Sequence, residues 1–173
     1  MSSNKPITMK KLAIITTVLL SAFLMSCSVQ EDEIELPNEY KASVVNVEYT
    51  ELDYEILELI NAHRISKDLR VLTILNEASK EAIAHNHYMV NQGAASHDYF
   101  YVRSQNLKDV VNAITVSENV GYGFSSAQAL VNAWLNSDGH RENIENPNVT
   151  DFGISTKKDA EGRHYFTNIF VKL

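Results

Sequence analysis

The segment Trp134-Leu135-Asn136-Ser137-Asp138-Gly139-His140-Arg141-Glu142-Asn143-Ile144 is where the reading of this chain starts. Ahead of it, Ser125-Ser126 supplies a helix N-cap, and Ala127, Leu130, Val131 and Trp134 recur at helical spacing on one face. The helix they predict stops at Asp138-Gly139, and His140–Ile144 adds one more turn before Pro147. An apolar helical face needs a partner. The sequence immediately downstream supplies one as a hairpin, Asp151–Lys157 and His164–Val171, joined through Asp159–Gly162.

In the second hairpin strand Tyr165, Ile169 and Val171 lie on one face and Phe166 and Phe170 on the other. A strand apolar on both faces is covered on both faces. Helices on either side of a small antiparallel sheet make an α/β fold, a three-layer α/β/α sandwich.

Upstream elements supply the remaining helices. Thr50 followed by Asp53 forms a capping box, and Leu52, Ile56, Leu59, Ile60 and His63 continue a helix to about Ile65. A second helix spans Asn76–Gln92, with the stripe Leu75, Ala78, Ala82, His85 and Met89, and Gly93 placed to end it. Leu107, Val110, Val111 and Ile114 predict a short third helix. Ser117–Tyr122 reads as a short extended piece, with Gly121-Tyr122-Gly123 marking a turn.

The chemistry is restricted. The chain has no G-x-S-x-G, P-loop, G-x-G-x-x-G, H-E-x-x-H or C-x-x-C pattern. What remains is histidines and carboxylates. His85 falls on the apolar stripe of its helix and reads as a packing residue; His87 points elsewhere, and His63 and His164 sit at element edges. His97 and His140 each lie in a short polar segment past a helix end, and Glu118 lies on an extended piece where a buried carboxylate needs a partner.

These residues fall in an ordered set of motifs. Asn61-x-x-Arg64, Ala84-His85 with Met89, Ser96-His97, Glu118-Asn119-Val120, Trp134 through Ile144, Phe152-Gly153-Ile154 and Tyr165–Phe170 follow one another along the chain. Together they resemble the CAP superfamily, the SCP/Tpx/pathogenesis-related-1 group, in its bacterial form. The resemblance runs from about Leu52 to the C-terminus, so the domain is expected over 44–173. It implies the same α/β/α sandwich and a cleft of histidines and glutamates able to hold a divalent cation, often zinc. Carried over, the cleft histidine is His97 and the glutamate Glu118. Asn61, Arg64, Asn119, Trp134, Arg141 and Asn143 fall on the motif frame. The eukaryotic pattern departs here: its second glutamate is Ser137 and its second histidine Tyr165, while bacterial members keep a histidine at His140. The expected metal set is therefore His97 and His140, with Glu118 orienting one ring or a water. Glu118 and Arg141 have another reading, as interior polar residues locking strand to helix.

The first residues carry an address. Lys5, Lys10 and Lys11 precede the apolar run Leu12–Met25, the form of a secretory signal and too short to span a bilayer. It ends in Leu24-Met25-Ser26-Cys27, which resembles a bacterial lipobox, and Cys27 is the chain's one cysteine. The expected organisation is a signal peptide over 1–26, lipidation at Cys27, and an acidic tether over 27–43. The protein is then exported and membrane-anchored, at the outer membrane or cell surface. The chain has 22 acidic against 15 basic residues, and the signal removes only bases. That balance argues against nucleic acid as a partner. Three uses stay open: a binding module for a small hydrophobic ligand, a glycan or a protein; a metal-assisted hydrolase with Glu118 as general base; or a structural envelope protein.

Overall fold

The computed structural model describes residues 46–173. The signal peptide, Cys27, the 27–43 tether and the expected domain start at Val44 lie outside the described residues.

Helix α1, Glu51–Ser66, opens with Thr50 as N-cap. The Thr50 Oγ1 accepts from the Asp53 backbone N–H while the Asp53 carboxylate accepts from the Thr50 N–H, the full capping box. Strand β1 is the two-residue Thr73–Ile74. Helix α2, Asn76–Gln92, ends at Gly93 in the left-handed region (φ 74°), as its sequence predicts. Helix α3 is Phe100–Val111 and strand β2 Thr115–Tyr122. Helices α4, Ala127–Leu135, and α5, Asp138–Glu145, follow. Strands β3, Asp151–Lys158, and β4, His164–Lys172, form the C-terminal hairpin.

The sheet order is β1-β3-β4-β2. β4 is central, antiparallel to both β3 and β2, with Glu118 opposite Ile169 and Asn119 opposite Asn168. β1 pairs with β3 in parallel, so the sheet is not wholly antiparallel. Two residues are too few for a periodicity signal, so β1 is not legible in the sequence.

Each face of β4 is covered. Phe166 and Phe170 pack with Ile56 and Ile60 of α1, Trp134 of α4 and Ile144 of α5. Ile169 and Val171 pack with Ala78 and Ala82 of α2 and Leu107 of α3. Gly153 of β3 fixes how closely α2 can sit, because a Cβ there would run into the Ala78 backbone. Only a glycine permits that approach.

Three expectations need correction. The third helix begins at Phe100, and its buried stripe is Arg103 and Leu107; Val110 and Ile114 are exposed. A buried arginine at a stripe position hides the helix from a hydrophobicity pattern. The fourth helix ends at Leu135 rather than Asp138-Gly139, because Asn136 caps it and Ser137 starts α5. Gly121 and Tyr122 belong to β2, and the turn begins at Gly123.

Candidate functional site

β2 is an edge strand, and side chains alternate across it. Glu118 therefore projects toward the α2/α3 layer and its neighbour Asn119 toward the layer of α1, α4 and α5. Asn119 Nδ2 donates to the His140 carbonyl at 3.0 Å. Asn143 Nδ2 donates to Asn119 Oδ1 at 2.9 Å and to the Glu118 carbonyl at 3.2 Å. Trp134 Nε1 donates to the Val120 carbonyl at 3.0 Å. These side chains satisfy outward-facing carbonyls of an edge that would otherwise be open to another strand.

His97 arrives from the other layer, on the loop between α2 and α3. That loop is strapped down. Ser96 N–H donates to Met89 Sδ at 3.5 Å, Gln92 Nε2 donates to Ser96 Oγ at 2.9 Å, and the Tyr88 hydroxyl donates to Asp98 Oδ2 at 2.9 Å. The His97 side chain is 56% exposed, yet its Nδ1 lies 2.8 Å from Oε1 of Glu118, which is 2% exposed. Bonded inward through Nδ1, the ring leaves Nε2 on the solvent side.

Glu118 is the hub of a buried polar cluster. Arg103, fully buried on α3, donates from Nε to Oε2 at 2.7 Å and from Nη2 to Oε1 at 2.8 Å. His85 Nδ1 lies 3.6 Å from Oε2. Thr167 Oγ1 gives its proton to Asn86 Oδ1 at 2.7 Å, so it accepts from His85 Nδ1–H at 3.1 Å. This places a proton on His85 Nδ1.

The electrostatics follow from burial and pairing. Burial is the largest influence on Glu118 and pushes its pKa up. It is outweighed by the His97 hydrogen bond, the Arg103 charge and His85, so the carboxyl is held below its ordinary range. The bond to Glu118 raises the His97 pKa against the opposing effect of burial. Burial lowers that of His85. His140 is lowered by burial first and by the charge of His97 second.

His140 does not sit past a helix C-terminus, as its spacing implied. It is in the first turn of α5, where the helix dipole disfavours an imidazolium. Its Nδ1 is hydrogen-bonded to Ser137 Oγ at 2.9 Å. His97 thus meets β2 through the Glu118 side chain, and the His140 backbone meets it through Asn119, from opposite layers. Among the described residues, no three His, Cys, Asp or Glu side chains are grouped to hold a metal ion. The donor set here is two imidazoles, each with Nδ1 turned to an oxygen, and Glu118 has both oxygens already engaged. By donor chemistry alone, two imidazoles would leave the rest of a cation's coordination to water, an open site rather than a closed one.

The remaining frame residues serve architecture. Asn61 brackets the Leu72 backbone, donating to its carbonyl at 3.0 Å and accepting from its N–H at 2.8 Å. Arg64, fully buried, donates to the carbonyls of Arg70, Ile144 and Asn146. Arg141 is partly exposed; it donates to the Leu135 carbonyl and pairs with Asp138. The interior arginine that locks Glu118 is Arg103, not Arg141. Tyr165 packs at a tilt against Tyr122 near the hairpin turn, four residues along β4 from the position opposite Glu118. His85 is a packing residue as expected, and also a neighbour of the carboxylate. The signal for Arg103 was its i, i+4 spacing from Leu107, a charge on an apolar stripe.

Comparison with known proteins bears on this arrangement. The model of the CAP family, described as the cysteine-rich secretory protein family, matches residues 57–171. The protein YkwD of Bacillus subtilis is 33% identical over 103 residues, 58% of this chain and 40% of its own length. The membrane protein YlbC of the same organism is 28% identical over 126 residues, 71% of this chain and 35% of its own. The chain thus spans well under half of these curated relatives. Among solved structures, an outer surface protein of Borrelia burgdorferi superposes with TM-score 0.64 at 23% identity, covering 72% of this chain and 96% of that one. An SCP-domain extracellular protein of Bacillus anthracis gives TM-score 0.62 at 23% identity, covering 74% and 45%. At that identity these two speak for the fold.

Proposed function

Because the chain belongs to the CAP (cysteine-rich secretory protein) family, we propose that it is an extracytoplasmic binding module whose working part is the cleft at the β2 edge. The observation that carries this reading is the commitment of Glu118. A general base needs a free lone pair and a pKa near the working pH. Glu118 is poorly placed on both counts: Arg103 and His97 take three of its about four lone-pair positions, its side chain is buried, and it is held below the ordinary carboxylate range. The cleft suits binding better than hydrolysis.

Within that cleft His97 and His140 would hold a divalent cation through their Nε2 atoms, with Glu118 and Ser137 fixing the ring orientations. Such an ion would supply a Lewis-acidic point for an oxygen or nitrogen of a ligand. The relatives support the setting: one is an outer surface protein and another an extracellular protein. With the signal read at Leu24–Cys27, the module is tethered by a lipid on Cys27 and meets ligands confined near a surface.

Two measurements test this. Zinc affinity of the purified protein should fall about tenfold or more in both His97→Ala and His140→Ala; equal affinity in wild type and both variants removes the cation from the cleft. Metabolic labelling with a fatty acid should mark the wild type and not Cys27→Ser. Label retained by the variant rules out that anchor.

A further inference from the structure

Arg103 belongs to none of the motifs by which the domain is recognised, yet it grips Glu118 at both oxygens. Its guanidinium meets the carboxylate with two hydrogen bonds, Nε to Oε2 at 2.7 Å and Nη2 to Oε1 at 2.8 Å. The third edge, Nη1, donates to the Asp98 carbonyl at 2.8 Å, one residue beyond His97. Phe100 stacks under the same group, with the guanidinium carbon 5.8 Å from the ring centroid. One planar fork therefore fixes both the carboxylate and the loop that carries the imidazole.

An ionised carboxylate has about four lone-pair positions. Arg103 takes two, His97 takes one, and His85 at 3.6 Å crowds Oε2. The one position left, on Oε2, lies in the interior beside His85, on a side chain only 2% exposed.

We propose that Arg103 is a positioning residue that withdraws Glu118 from the cleft as ligand or base and commits it to holding the His97 ring with Nδ1–H inward and Nε2 outward. This rests on the reading of His97 as a cleft ligand. It adds a consequence for which cation is taken. The buried charges of Arg103 and Glu118 offset one another, so an entering ion meets imidazole nitrogen and water but no free oxygen of Glu118. Imidazole donors favour zinc and its transition-metal neighbours, whereas magnesium and calcium require oxygen ligands. Lysine cannot replace Arg103, because a point charge on a flexible stem cannot hold both oxygens and the Asp98 carbonyl at once.

The test begins with the unmodified protein. Long-range proton–nitrogen NMR spectra, recorded where His97 is neutral, should show its proton on Nδ1, the reverse of the preference of a free histidine. In Arg103→Lys the ring should move toward the Nε2–H form. Zinc affinity should drop about tenfold, while magnesium and calcium binding should not weaken. A wild-type His97 protonated on Nε2 overturns the proposal, and that spectrum needs no variant to fold. A folded Arg103→Lys with tautomer and zinc affinity unchanged overturns it equally. If the wild type shows the Nδ1–H form, Arg103→Lys loses it, and no zinc binds to either, the positioning role stands and the cation reading falls.

Discussion

The two sides of the sheet are built from different materials. Toward α1, α4 and α5 the interior is large and apolar: Ile56, Ile60, Leu130, Trp134, Phe152, Phe166 and Phe170 are all buried. Toward α2 and α3 the apolar residues are fewer and mostly small, Ala78, Ala82, Leu107, Ile169 and Val171 among them. Much of the space there is occupied by His85, Asn86, Arg103, Glu118, Glu81 and Thr167, every one buried. Burying a large apolar side chain stabilises by roughly 1.5–3 kcal/mol. A buried ion pair or polar network contributes little net, because desolvation offsets the attraction, although breaking it is costly. One side holds the fold together. The other accepts a lower return in stability and holds His97 and Glu118 in place.

The largest effect that would test this division is on the apolar side. Trp134→Ala removes a fully packed ring and its bond to the Val120 carbonyl, and should cost about 3–5 kcal/mol in urea unfolding. The loss should be nearly the same at pH 5 and pH 8, because no titrating group is removed. A loss below about 1 kcal/mol would mean the apolar layer is not the main support.

A smaller effect should appear on the polar side and should depend on pH. Glu81 on α2 is buried. Its Oε1 accepts from Asn106 Nδ2 of α3 at 3.0 Å, and burial pushes its pKa up to about 7, against the weaker opposing effect of that bond. A carboxyl whose pKa is higher folded than unfolded contributes stability that is full below its unfolded pKa. That contribution is lost as pH rises through about 7. Glu81→Gln should therefore flatten the pH dependence. Relative to the variant, the wild type should lose up to roughly 3 kcal/mol between pH 5 and pH 8. Parallel stability curves for the two proteins would show that Glu81 does not titrate in this range.

How far each side could be read from sequence follows from the same contrast. Apolar periodicity located α1, α2, α4 and the hairpin closely, since Ile56, Ala82, Trp134 and Phe166 recur at spacings fixed by backbone geometry. It misplaced α3, because Arg103 occupies a core position that periodicity assigns to an apolar residue. The motif frame marked His97, Glu118 and His140. It did not show that Glu118 is bound on both oxygens, or that the buried arginine of the cluster is Arg103 rather than Arg141.

The sequence by itself determined the family, the three-layer architecture and the faces of β4, and marked the candidate histidines, because these depend on residue type and order along the chain. The tertiary structure alone decided what those residues do together. Glu118 and Asn119 are neighbours in sequence, but the alternation of an edge strand sends them to opposite layers. Arg103 and His85 are distant from Glu118 in sequence, and packing of α2 on β3 and β4 and of α3 on β2 brings both to one carboxylate. Contacts of that kind arise from how elements fit across the sheet, and a local pattern can mark a buried residue such as Arg103 without naming its partner.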